Sequence, residues 1–194
     1  KVAQLMEELE YLHQLDDASR LNCGMPLKAL EQLSEASLMD MLGPEPRLYA
    51  SEILYLRAME PHMYWQEKDR LLLKSLRLLA SLTEESLLCE LRCPRLRELK
   101  QAVLPLMTAE DLLQCARFFS EAGCFDEMED ALFQGLECTC DPVRGSTLAA
   151  EGHAMLLRAA QAHGETLAYC RMTEKELVEA AEELLKEGSY LYTL

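Results

Sequence analysis

Along most of the chain, apolar residues return every three to four positions, the period of a helix with one buried face. Leu5, Leu9 and Leu12 set this spacing from the start, so a helix is expected from Val2 to about Leu15, with a turn region from Asp16 to Gly24. A second helix is expected from Pro26 to Leu33, and a short third one capped by Ser37 that stops at Gly43-Pro44-Glu45-Pro46. The same period runs from Arg47 to Met59 and from Met63 to Leu82, broken by Glu60-Pro61, which predicts a helical hairpin. Thr83 with Glu84 and Glu85 reads as another helix start, and Pro94 and Pro105 should bracket two short segments, because proline ends helices. Thr108 should cap a helix that ends at Gly123, Phe125 to Glu137 its partner, and Thr147 to His163 a longer helix beyond the Asp141-Pro142 break. Thr173-Glu174-Lys175-Glu176 fits a capping box, and Gly188 should close the last helix. No alternating strand pattern competes with these segments, so the expected fold class is all-α.

The segment from Ala109 to Pro142 carries more than periodicity. Leu112, Cys115, Ala116 and Phe119 occupy one helix, Gly123 and Phe125 the turn, and Leu132, Gly135 and Pro142 the places of a large residue, a small residue and a closing proline. That pattern resembles a tetratricopeptide repeat, a helix-turn-helix unit of about 34 residues. Met128 stands where the motif prefers alanine, which implies slightly wider packing. The hairpin over 47–82 is a degraded relative, with Ala50, Leu54, Leu72 and Ser75 in matching places but no glycine at its turn. The run from Phe118 to Asp126, leading into Glu129-Asp130-Ala131-Leu132-Phe133, is similar to an uncharacterised bacterial family of tetratricopeptide-like proteins, a domain-of-unknown-function family. The resemblance implies stacked antiparallel hairpins in a short α-solenoid, and it brings no known activity. On this reading residues 1–194 form a single tetratricopeptide-like domain: N-terminal helices over 1–43, a degraded hairpin with connector helices over 44–107, the best hairpin over 108–142 and C-terminal helices over 143–194.

Composition narrows the partner. Thirty-four acidic against nineteen basic residues give a net charge of -15, a field that repels nucleic-acid phosphates and anionic lipid, so neither nucleic acid nor a membrane surface is the expected partner. Arg, Glu or Lys interrupts every apolar run well short of the roughly 20 residues that span a bilayer. Lys1 rather than a methionine opens the chain, so a short preceding piece is expected, and no signal-peptide pattern is seen. The eight cysteines include no C-x-x-C pair, and most fall on apolar helical faces, so free thiols in a cytoplasmic setting are expected.

No phosphate-cradling glycine loop, nucleophile elbow, H-E-x-x-H or EF-hand pattern occurs. Cys138-Thr139-Cys140 is the closest cysteine pair but has no histidine nearby in sequence, and Cys89 and Cys93 read as core packing. His13, His62, His153 and His163 show no triad spacing. The expectation is therefore no catalytic, cofactor or metal residues and no enzyme, but a protein-interaction module that holds a peptide, a helix or a second subunit. Its candidate surface is the face of the best hairpin left over from packing: Leu113, Arg117, Ser120 and Glu121, with Leu113 and Arg117 as an anchor pair. Eight of the nineteen bases fall between Lys68 and Lys100, and Arg70, Lys74 and Arg77 share a helical face. That face reads first as solvated. As a binding stripe it would dock the acidic C-terminal half, with Glu179, Glu182, Glu183 and Glu187, or a second copy, or an acidic partner, and it would carry the alternative function of a small-ligand or anion site.

Overall fold

The computed structural model describes residues 2–82, 89–161 and 172–190, and every regular element among them is helical. In chain order these are α1 Val2–Cys23, α2 Leu27–Gln32, α3 Glu35–Met41, α4 Pro44–Ala58, α5 Trp65–Ala80, α6 Cys89–Val103, a short 3-10 turn Leu104–Leu106, α7 Ala109–Glu121, α8 Phe125–Glu137, α9 Pro142–Ala160 and α10 Glu174–Tyr190. The helix start read at Thr83 and the histidine at 163 lie outside the described residues, as do Cys170 and the side chain of Cys89.

The helices group into two compact units, one of Lys1–Leu82 with Glu98–Leu104 and one of Thr83–Arg97 with Pro105–Leu194. In the first, α4 and α5 pair as the predicted hairpin, with α1 and α2 against α4 and α3 against α5. Small residues at the crossing let the backbones approach. Ser51 and Ser75 are fully buried there, and each hydroxyl donates to the other residue's carbonyl at 2.9 Å. Such a reciprocal pair satisfies two polar groups that burial would otherwise leave costly.

Several boundaries differ from the sequence reading, each for a local reason. α1 continues through the expected turn to Cys23, because Asp16 serves the helix rather than ending it: its carboxylate pairs with Arg20 at 2.7 Å and accepts the N–H of Leu27 at 2.7 Å. Leu15, Ser19 and Cys23, four apart, extend the buried stripe, and Gly24 ends the helix at φ 69°. Ser34, not Ser37, caps α3, accepting the Ser37 N–H. α9 begins at Pro142, since Asp141 is its N-cap and a proline at the first position costs no hydrogen bond. Pro94 lies inside α6 rather than ending it. Cys93, Leu96, Leu99 and Val103 are buried along that helix, and their packing outweighs one lost backbone bond.

In the second unit, α7 starts at a capping box in which Thr108 Oγ1 accepts the Asp111 N–H and the Asp111 carboxylate accepts the Thr108 N–H. Leu112, Cys115, Ala116 and Phe119 are completely buried, with Met128, Ala131 and Leu132 opposite on α8. α9 packs on α8 and α10 on α9, and α7 also meets α9 while α10 meets α8. Glycines mark the closest approaches. A Cβ on Gly152 of α9 would come within 2.5 Å of Leu184 Cδ2 and 2.9 Å of Leu132 Cδ2, and one on Gly188 within 2.4 Å of Ala149 Cβ. Gly188 therefore does not close α10, which runs on to Tyr190. Its missing side chain is what lets α10 lie against α9.

Candidate functional site

The second unit has a concave feature that involves a residue of the binding face expected on α7. A cavity of about 850 Å³ opens at the start of α7 and α9 and the end of α8. Met107, Leu113 and Leu148 form its apolar floor, and Thr108, Glu110, Asp141, Arg144 and Cys140 stand around it. Val143, also on its lining, is 65% exposed, a large apolar residue left in solvent. Two helix N-termini open here, which usually favours an anion. Here the chain supplies the acceptors itself: Thr108 Oγ1 takes the Asp111 N–H at 3.2 Å and Asp141 Oδ1 the Val143 N–H at 3.0 Å. The groove is thus better matched to apolar side chains with a polar rim than to a phosphate.

The four residues expected on the binding face of α7 separate. Leu113 is 5% exposed, buried in the floor of the groove rather than standing free beside an arginine. Arg117 points elsewhere. Its Nε donates to Glu151 Oε1 at 2.7 Å and Nη2 to Glu151 Oε2 at 3.0 Å, a two-pronged tie from α7 to α9, while Nη1 reaches Gln114 and Glu110. The hydrogen bonds between them raise the Arg117 pKa and lower that of Glu151. Of the expected Leu113–Arg117 pair, Leu113 thus lies in the floor of the groove and Arg117 ties α7 to α9. Ser120 is half-buried and Glu121 exposed, near the other end of the helix.

The basic stripe of α5 also turns inward. Lys74 is 2% exposed, and its ammonium donates to the carbonyls of Leu30 at 2.7 Å, Glu31 at 3.1 Å and Leu33, the end of α2. Arg70 adds a bond to the Glu31 carbonyl at 2.8 Å and pairs with Glu67, and Arg77 pairs with Glu35 at 3.2 Å. Arg47 of α4 does for α3 what Lys74 does for α2, donating to the Met39 and Leu42 carbonyls at 3.0 Å. Helices of six and seven residues are marginal alone, and a cation over their last carbonyls satisfies the groups that fray first. The reading of this face as solvated is thus overturned for Lys74. Burial holds its pKa below the ordinary lysine value, with Glu35 opposing that shift. No pattern in the sequence distinguishes such a capping lysine from a surface one, since both sit one turn from an arginine.

Glu179, Glu182, Glu183 and Glu187 of α10 are all exposed. Glu176, Glu179 and Glu183 gather around Glu129 of α8, whose carboxyl is raised, first by burial and then by Asp130, Glu183, Glu176 and Asp126. Among the described residues no three of His, Cys, Asp and Glu are placed to hold a metal ion, and no helix is long and apolar enough to cross a membrane. Comparison with family models, with curated proteins and with solved structures finds no match.

Proposed function

We propose that this chain is a non-catalytic interaction module of tetratricopeptide-like hairpins, which holds a peptide, a helix of another protein or a second copy of itself. The observation that carries the reading is the groove over Leu113, an apolar floor between the first turns of α7 and α9 with Val143 exposed at 65% on its rim. A wide cleft with an apolar floor and both signs of charge on its edge suits the side chains of a polypeptide, and few side chains would carry most of the affinity. Support for the repeat architecture comes from the order of packing in the second unit. α7 and α8 form one antiparallel hairpin, α9 and α10 a second, and the first and second helices of one hairpin meet their counterparts in the next. That is how stacked repeats bury a continuous core. The resemblance to the bacterial tetratricopeptide-like family belongs to the same proposal, as do a cytoplasmic location and the exclusion of nucleic acid by a net charge of -15. The basic segment is not offered as a second site, because Arg70, Lys74 and Arg77 meet the chain's own carbonyls and carboxylates.

The test is capture from native lysate with the full chain and with Val143→Asp in parallel. Because Val143 is exposed, the variant should keep its melting temperature while losing the partner by about tenfold or more. Equal capture by both would move the site elsewhere.

A further inference from the structure

The tip of the α7–α8 hairpin carries chemistry that an interaction role does not require. Gly123, at φ 72°, lets the chain reverse within two residues and places Cys124 as the N-cap of α8. From α6 of the same unit comes Cys93, 7% exposed, and its Sγ lies 3.6 Å from the Sγ of Cys124. The two sulfurs are in van der Waals contact. A disulfide needs them at about 2.05 Å, so closure asks for roughly 1.5 Å of approach.

We propose that Cys93 and Cys124 are a redox-active dithiol, which a small-molecule disulfide of the glutathione type converts into an intramolecular disulfide. Cys124 is the attacking thiol. It is half-exposed at the hairpin tip, whereas Cys93 is buried behind it. Its thiolate accepts a hydrogen bond from the Cys93 S–H, and the Arg97 guanidinium of α6 also favours the ionised form. Burial and Asp126 oppose them, and Arg97 is itself paired with Glu127. The balance brings the thiol down to about 7, where half of it is nucleophilic near neutral pH. Cys23 shows the contrast: burial without such partners pushes its thiol up to about 11.

The exchange balances without any further reagent. The Cys124 thiolate attacks one sulfur of the small disulfide, forming a mixed disulfide and releasing one small thiolate. Cys93 then passes its proton to solvent and attacks the Cys124 sulfur, expelling the second small thiolate. The protein loses two electrons and two protons, and one small disulfide becomes two thiols. The new bond would tie α6 to the hairpin tip, and it is reversible by a thiol. Cys138 and Cys140, both exposed, lie on the groove rather than at this tip. The proposal stands apart from the groove and does not depend on it.

The experiment uses the full chain, reduced and freed of reductant, then exposed to oxidised glutathione at pH 7, quenched in acid, alkylated and mapped by mass spectrometry. The expected product is a Cys93–Cys124 linked peptide as the dominant disulfide, removed again by dithiothreitol. Cys93→Ser should stop the reaction at a glutathione adduct on Cys124. In unmodified protein, Cys124 should be carboxymethylated several-fold faster than the exposed Cys138, the internal reference in the same molecule. A map in which Cys93 and Cys124 both remain alkylatable overturns the proposal, and so does one in which Cys138 is consumed first. Formation of the link only after denaturant is added also overturns it.

Discussion

Replacing Lys74 with methionine removes one ammonium and keeps most of the aliphatic stem. The three carbonyls at the end of α2 stay where they are, and two of them lose their donor in a region where Leu30 and Leu38 are completely buried; the Glu31 carbonyl keeps Arg70. A hydrogen bond to a charged group contributes about 1.5 to 3 kcal/mol net, and three such bonds set an upper bound of several kcal/mol. Against this stand the desolvation of the ammonium, which its lowered pKa reports, and the apolar burial that methionine adds. The expected loss is about 2 to 4 kcal/mol, larger than for a surface lysine, which would change stability by about 0.5 kcal/mol or less. Urea unfolding at pH 7, followed by circular dichroism and by the single tryptophan, Trp65 of α5, measures it. The sign of its pH dependence is also fixed. A lysine whose folded pKa is lowered makes the wild type gain on the methionine variant as pH rises from that folded pKa toward 10.5, because the unfolded chain then binds the proton more tightly. A variant as stable as wild type, with an unchanged slope in urea, would refute the capping role.

Gly188→Ala should cost about 1 to 3 kcal/mol in thermal unfolding despite alanine's better helix propensity, since the new Cβ meets Ala149 Cβ, a group with no rotamer to escape into. Arg117→Glu should lower stability by about 1 kcal/mol by facing Glu151 and Glu110 with a third carboxylate, and adding Glu151→Arg should recover most of it in a double-mutant cycle. Glu129→Gln should stabilise by about 0.5 kcal/mol at pH 7, as the raised carboxyl is a cost when ionised. That gain should vanish as pH falls through the folded pKa to about 3, where the wild-type carboxyl is protonated in both states.

The helices were legible because each one repeats its apolar residues at the helical period, and the caps at Thr108 and Thr173 fall where their side chains predict. Boundaries slipped where a residue with two uses took the less common one. Asp16 reads as a turn residue but binds Arg20 and the Leu27 N–H; Pro94 reads as a stop but sits inside α6; Gly188 reads as a C-cap but is a packing contact. The best hairpin's interior was legible residue by residue in Leu112, Cys115, Ala116 and Phe119, while the contacts of its outer face were not. Offsets of about 100° per residue say which side chains leave the hairpin, but not that α9 arrives with Glu151 opposite Arg117 or that Leu113 ends as a floor. Long-range pairing of this kind, like that of Cys93 with Cys124 across 31 positions, leaves no local signal.

The groove is tested most directly by placing a photoreactive benzoylphenylalanine at Val143 in the full chain, within native cells, and the same residue at Leu21, 83% exposed on α1, as the reference. Irradiation should give a discrete protein adduct, to another protein or to a second copy, from position 143 and none from position 21. No adduct at 143, or the same adducts at both positions, would contradict an interaction module that binds through this groove.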